Sequence, residues 1–508
     1  MARNRVQHLT DSTNDSRQTL QATISIDKTR GYTRYDRMIL GQFVEHFHRQ
    51  VYGGIYEAGS ELSDERGFRT DVLEALRELR IPIVRWPGGC FADLYHWQDG
   101  VGQKREPVFD RLWQVVEPNQ FGTREFIEWC REIGAEPYIC TNAQYADLGR
   151  IEEMAGWLEY CNVRHNGHYA RLRQAHGVAE PYNVKYWSIG NENMYDGMTT
   201  PEEWGLFVRK AAQIMRKVDP SVKLIAGTKY DPDWTTSLLK QAGEFLDFVA
   251  IHGYWDLLFS ENNPSDYATC MLWSLVPEER DIHHLENAMG LLDLRGRLKI
   301  AFDEWNLRSW HHPGPFTPEN IQARDKNDIN ATYTMADAVF SASFLNICLR
   351  HADTVHMANF SPLVNSRGAL YVHPEGIVKR TTFYVFEMYS NLLAPNAVDA
   401  YVSSDPFTHD GQSVPALDAV VTCGDGWDRM TLAIINRDPE ATVTCSVKID
   451  GIALQGTFDA TILSGDSPDA CNDINRPNRV IPKQIQLAFD ETGAPIPPHS
   501  VVLCQVQV

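Results

Sequence analysis

Eight short apolar runs, each separated from the next by enough chain for a helix, constrain this sequence more than any other feature. They are Met38–Val44, Ile81–Trp86, Glu136–Cys140, Val184–Ile189, Val222–Ala226, Phe248–His252, Leu298–Phe302 and Thr354–Ala358. Nearly continuous apolar strands alternating with helices imply a parallel sheet covered on both faces. Eight such units predict a closed (β/α)₈ barrel. The competing architecture is an open doubly wound sheet. It would carry a Gly-rich phosphate turn after the first strand, and none is present. Asp71–Arg80 reads as a helix, with Val72, Leu73, Leu76 and Leu79 on one face and Thr70 or Asp71 as its cap. Thr123–Ile133 reads as another, capped by Thr123 and closed by Gly134.

The pattern changes near residue 390. All but Trp427 of the 13 tryptophans lie at or before Trp310. Beyond it come short alternating runs at Ala419–Thr422, Met430–Ile435, Thr442–Ile449, Gly456–Leu463 and Val501–Val506. They predict a C-terminal β-sandwich, jelly-roll-like, over 391–508. Gln21–Asp27 alternates too, so 21–36 is expected to add a strand to it. The barrel then spans 37–390, behind a polar tail at 1–20. That tail has no apolar signal-peptide segment.

Composition narrows the function. A net charge of −20 disfavours nucleic acid as a partner. No apolar run reaches the 18 or so residues a membrane helix needs. Ten cysteines without a C-x-x-C pair, several within apolar runs, fit buried thiols and a cytoplasmic location.

In a barrel the chemistry sits at the C-terminal ends of the strands. Glu192 follows the fourth run and Glu304 the seventh, so the two carboxylates face each other across the mouth. Each alone could simply close a salt bridge. Together they have the form glycoside hydrolysis requires, one carboxyl held protonated by its surroundings and one ionised. Trp86, Tyr95, Trp97, Tyr254, Trp255, Trp305 and Trp310 lie at or near strand ends and offer apolar faces to a sugar ring. His46 and His48, His283 and His284, and His311 and His312 lack any spacing specific to a metal, so neither a catalytic metal nor a cofactor is expected. Cys90 has no evident base beside it, so a nucleophilic thiol is not expected.

Several separated motifs carry a resemblance. They are Gly41–His46, Val51–Ile55, Arg85–Gly89, Tyr95–Gly102, Trp187–Glu192, Phe302–Asn306 and the stretch from Phe344 to Asn359. In their order and spacing they resemble glycoside hydrolase family 51, whose main activity is retaining α-L-arabinofuranosidase. The resemblance implies a (β/α)₈ barrel with a C-terminal β-sandwich, a homo-oligomer such as a hexamer or trimer, and an arabinose-containing oligosaccharide as substrate. It implies Glu192 as general acid/base and Glu304 as nucleophile. Asn191 would bond the sugar 2-OH, Glu45 the other glycone hydroxyls, and Arg85 the nucleophile. His252 and Tyr254 would wall the sugar pocket. Two positions that touch the glycone depart from the common pattern. Cys90 stands where many members carry Asn, and Pro362 where many carry Gln. They leave a sibling specificity open: another furanosidase, a β-xylosidase or an endo-β-glucanase. A catalytically silent sugar-binding protein would have no use for the paired carboxylates.

Overall fold

The computed structural model describes residues 19–258, 263–309, 317–320 and 333–507. Trp310, His311, His312 and almost all of the expected N-terminal tail lie outside them. Eight parallel strands close into a barrel: β1 (Gly41–Phe43), β2 (Ile83–Trp86), β3 (Glu136–Cys140), β4 (Tyr186–Ser188), β5 (Lys223–Thr228), β6 (Phe248–Asp256), β7 (Lys299–Arg308) and β8 (Val355–Phe360). β8 returns to β1 through Asn359–Gly41 and Phe360–Gln42. One helix packs outside after each strand: α1 (Thr70–Leu79), α2 (Thr123–Ile133), α3 (Gly149–Asn162), α4 (Pro201–Val218), α5 (Pro232–Ala242), α6 (His283–Leu291), α7 (Met335–Arg350) and α8 (Thr381–Leu392). The expected (β/α)₈ barrel is therefore present.

Each predicted run contains a barrel strand, and the differences are local. The first run is split, because Asp36 accepts a hydrogen bond from the Met38 N–H and winds Arg37–Leu40 into a short helical turn before β1. β6 and β7 run further than the apolar pattern, through polar residues that face the barrel mouth. The caps differ too. α1 starts at Arg69 with no side-chain cap. At α2 the cap is Gly122, whose N–H donates to Glu125 Oε2 at 2.9 Å. Thr123 instead accepts the Trp157 indole N–H at 3.0 Å. Gly134 closes α2 in the left-handed region, at φ 75°.

Strand alternation divides the hydrophobic core in two. Inward side chains such as Ile83, Tyr138, Tyr186, Ile225, Phe248 and Met357 plug the barrel. Outward ones join the helices in a second layer continuous with the C-terminal sheets. The C-terminal unit is all β, built on a seven-stranded and a five-stranded sheet. Leu20–Ile26 lies in the smaller sheet, antiparallel to Ala400–Ser404 and parallel to Val443–Ile449. Asp418 of the larger sheet ties that unit to α7: it accepts from Arg350 at 2.8 Å and Asn346 at 3.0 Å.

Candidate active site

The mouth of the barrel gathers Glu45 after β1, Arg85 on β2, Asn191 and Glu192 after β4, His252 and Tyr254 on β6, and Asp303 and Glu304 on β7. Strict alternation would turn one of two adjacent residues outward. β7 avoids this with a bulge. β6 pairs Ala250 with Ala301 and next His252 with Glu304, so β7 carries one residue more than its partner; the same shift recurs against β8. Bulges of this kind re-aim side chains beside functional sites. Here the bulge turns Asp303 and Glu304 into the mouth together and sends Trp305 outward.

Glu304 is held by two donors. Arg85 Nη1 donates to Oε1 at 2.6 Å, and the Tyr254 hydroxyl to Oε2 at 2.9 Å, with Ser361 Oγ 2.9 Å from that hydroxyl. Arg85 also donates to Asn191 Oδ1 at 2.7 Å and faces Asp303 at 3.5 Å. Burial pulls its pKa down, but Cys140, Asp303 and Glu304 reverse that, so the guanidinium stays charged. Glu192 Oε1 meets His252 Nδ1 at 2.7 Å, while His252 Nε2 faces Asp303 Oδ1 at 3.2 Å. The acceptor oxygens of Glu192 and Glu304 lie within 4.8 Å of each other and of His252.

The charges decide where a proton rests. Burial lowers His252, but the Glu304, Asp303 and Glu192 carboxylates outweigh it and push the imidazole well above its ordinary value. Burial raises Glu192, but the bond and charge of His252 more than reverse that, leaving it below the usual carboxylate range. Glu304 is raised, because burial, with the Glu192 charge, outweighs His252 and Arg85. The proton expected on the acid carboxyl therefore rests on its hydrogen-bond partner, His252.

Glu45 is buried, and its Oε1 accepts the Phe91 N–H at 2.8 Å. Burial and the Glu304 charge push it well above the carboxylate range, so it presents a neutral carboxyl. The Gly88–Gly89 pair makes room for it: a Cβ on Gly88 would lie 2.4 Å from Glu45 Cγ, and one on Gly89 2.7 Å from Oε2. Cys90 Sγ lies 3.7 Å from both Glu192 Oε2 and Asn191 Nδ2. Burial and the Glu192 charge keep it a thiol. Asn191 and Glu192 stand on a turn that needs Gly190, at φ +72°, where a Cβ would meet Asn193 Oδ1 at 2.2 Å.

Trp305 requires correction. It is fully buried, with its ring 4.0 Å from Phe344 of α7 and 5.1 Å from Phe360. As the outward residue after the bulge, it packs helix against barrel and does not face a sugar. Trp86, Tyr95, Trp97 and Trp255 are buried as well. Among the described aromatics expected at the mouth, only Tyr254 touches a catalytic carboxylate. His46 is not a free ligand: it faces Glu117 at 2.9 Å and accepts the Trp86 indole N–H at 3.0 Å.

Comparison with known proteins agrees with this geometry. A family model described as the alpha-L-arabinofuranosidase 1 domain matches residues 75–269, and one described as the alpha-L-arabinofuranosidase C-terminal domain matches 303–500. Alpha-L-arabinofuranosidase C of Emericella nidulans is 34% identical over 483 residues, covering 88% of this chain and 90% of that one. The GH51 alpha-L-arabinofuranosidase of Thermotoga petrophila superposes with a TM-score of 0.84 at 33% identity, over 96% of this chain and all of that one.

The chain belongs to glycoside hydrolase family 51.

Two further relatives bear on the enzyme. The Thermotoga maritima alpha-L-arabinofuranosidase, solved as an arabinose complex, gives a TM-score of 0.85 at 33% identity, over 96% of this chain and all of that one. An intracellular exo-alpha-(1->5)-L-arabinofuranosidase of Halalkalibacterium halodurans is 32% identical over 445 residues, covering 82% of this chain and 85% of that one. The enzyme also uses residues that strand-end reading passed over. Asp303 accepts the Tyr138 hydroxyl at 2.9 Å as well as facing Arg85 and His252. Asp93 accepts from Asn193 at 3.1 Å, behind the Glu192 turn. The only signal for Asp303 was its place beside Glu304. Beside Glu192 opens a cavity of about 400 Å³, walled by Cys90, Leu112, Tyr145, Tyr195 and Met198.

Proposed function

We propose that this glycoside hydrolase is a retaining, exo-acting α-L-arabinofuranosidase that releases terminal arabinofuranose from arabino-oligosaccharides. The observation that carries the proposal is the placing of Glu192 and Glu304 oxygens within 4.8 Å. Retaining enzymes hold their carboxyl groups about 5–5.5 Å apart, whereas inverting ones leave about 6.5–9.5 Å for a water. The exo reading draws on the name of the Halalkalibacterium halodurans relative.

In this reading Glu304 attacks the anomeric carbon, and the leaving oxygen takes a proton from Glu192. His252 supplies that proton along its 2.7 Å bond to Glu192. The transfer removes one positive and one negative charge near Glu304. The two effects offset, and the ionised nucleophile then rests on Arg85 and Tyr254. Glu192 next draws a proton from water, which breaks the glycosyl-enzyme bond on the original face. Asn191 and the neutral Glu45 carboxyl bind the glycone hydroxyls, and the 400 Å³ cavity receives the leaving sugar. Glu192 retains 28% side-chain exposure, enough to be reached from that cavity.

Azide tests the roles. Glu192→Ala should still form the glycosyl-enzyme from a dinitrophenyl arabinofuranoside, and azide should then give the α-azide. Glu304→Ala with azide should give the β-azide. The opposite assignment of products overturns the roles. Rates on aryl α-L-arabinofuranoside, β-D-galactofuranoside, β-D-xyloside and β-D-glucoside test the sugar. Preference for any but the first would mean that Cys90 and Pro362 reshape the pocket.

A cytoplasmic location and a homo-oligomer belong to the same proposal. The ten cysteines are free thiols, which suits a reducing compartment. Among the described residues no helix is long and apolar enough to cross a membrane. Sedimentation of the full chain reads the oligomer.

A further inference from the structure

A second cluster of ligating side chains lies at the other end of the barrel wall. His351 follows α7 and precedes β8, so it sits toward the N-terminal ends of the strands, away from the catalytic mouth. Its Nε2 lies 3.1 Å from Glu278 Oε1. His283, exposed at the start of α6, makes no hydrogen bond or ion pair among the described residues, and its ring centroid is 6.0 Å from that of His351. One ligand atom each from Glu278, His283 and His351 falls within 4.8 Å of the others.

Two independent features show this cluster to be built. The first is the backbone. Residues Pro277–Ile282 form a π-helical turn, and the His283 N–H reaches back five residues to the Glu278 carbonyl. In an α-helix, residues five apart point about 140° away from each other. The wider turn brings Glu278 and His283 onto one face. Such turns are rare and recur at functional sites. The second is the far side of His351. Its Nδ1 is held 3.0 Å from Glu286 Oε1, and that same oxygen accepts the Thr354 hydroxyl at 2.7 Å. A carboxylate fixing one imidazole nitrogen while the other faces outward is how proteins orient a metal-binding histidine.

We propose that Glu278, His283 and His351 form a non-catalytic site for a divalent transition ion of the zinc type. Two imidazoles and one carboxylate suit such an ion better than Mg²⁺ or Ca²⁺, which prefer all-oxygen shells. At Zn–N and Zn–O lengths of about 2.0–2.1 Å, neighbouring ligand atoms lie roughly 3.3 Å apart. The Glu278–His351 edge is already near that spacing, and the exposed His283 ring closes the rest by a side-chain rotation. Solvent takes the fourth position. The ion would tie α6 to α7 next to Arg350, which bridges Glu278 at 3.4 Å and Asp418 of the C-terminal sheets at 2.8 Å. Its role is to brace the junction of barrel and β-domain.

The test is calorimetric titration of Zn²⁺ into the untagged, EDTA-dialysed full chain, with a thermal melt alongside. One ion should bind outside the catalytic centre and raise the melting temperature, and Mg²⁺ should do neither. His283→Ala, an exposed change, should weaken that binding at least tenfold and abolish the thermal rise, with aryl-glycoside turnover unchanged. His351→Gln should do the same to binding. Glu192, His252 and Glu304 form the other group able to take an ion. Zn²⁺ binding that survives His283→Ala and disappears in Glu192→Ala would place the ion there and overturn the proposal. Absence of Zn²⁺ binding would leave Glu278, His351 and Glu286 as an ion-pair cluster and equally overturn it.

Discussion

Replacing Tyr254 with Phe isolates one bond at the nucleophile. The hydroxyl donates to Glu304 Oε2 at 2.9 Å, and the ring that carries it keeps its place. A hydrogen bond to a charged acceptor contributes about 1.5–3 kcal/mol. Glu304 must be ionised to attack, and the lost donor stabilised that form. At about 1.4 kcal/mol per decade, kcat/KM should fall roughly 10- to 100-fold. The acid limb of the pH–rate profile should rise by about one to two pH units, because the carboxylate now ionises less readily. Stability should change little, since Phe fills the same volume and Ser361 lies at the edge of the mouth. The assay is kcat/KM on an aryl α-L-arabinofuranoside from about pH 4 to pH 9, with a thermal melt as control. Wild-type kcat/KM with an unmoved acid limb would refute the claim that Tyr254 holds the ionised nucleophile. A large loss of rate with a collapsed melt would show instead that the hydroxyl serves the fold.

Three further outcomes follow from the same geometry. Trp305→Ala should cost about 3–5 kcal/mol, measured by denaturant unfolding, because it empties a core site between barrel and helix; the protein that remains folded should keep KM within twofold, and a large KM increase would return Trp305 to the sugar pocket. Asp93 is pushed up to about 7 by burial, against the hydrogen bond from Asn193. Its folded pKa lies above its unfolded one, so its stabilising effect is complete below about pH 4 and is lost as pH rises to 7. Asp93→Asn should therefore gain on wild type by about 2–3 kcal/mol between pH 5 and pH 8, and a constant difference across that range would contradict this. Gly190→Ala places a Cβ 2.2 Å from Asn193 Oδ1 at a positive φ. It should lower kcat by at least tenfold while the melt moves by only a few degrees, and unchanged kcat would show that the turn relaxes without moving Glu192.

Much of the fold was legible because its signals are local. Apolar runs of four to seven residues with turn and helix signals between them report burial on both faces of a strand, and that arrangement has few closed solutions. Glu192 and Glu304 were readable because a barrel assigns its chemistry to strand ends, and each follows such an end directly. Glu45 and Arg85 followed from the same rule, helped by the motifs that resemble family 51. Trp305 was misplaced for an equally physical reason. Proximity to a strand end says that a residue is near the mouth, and alternation says which way it faces; a bulge breaks the alternation without leaving a mark in composition.

By itself, the sequence determined the order of strands and helices, the two carboxylates and the change to all-β structure near residue 390, since each depends on neighbours within a few positions. Only the tertiary structure decided which way those groups face and what charge they carry. The bulge on β7 brings Asp303 and Glu304 inward together, His252 takes the proton that Glu192 was expected to hold, and a π-helical turn sets Glu278 and His283 beside a histidine some 70 residues away. These outcomes depend on hydrogen-bond register and on the sum of several buried charges. Both exist only when segments distant in sequence are packed within a few ångströms of one another.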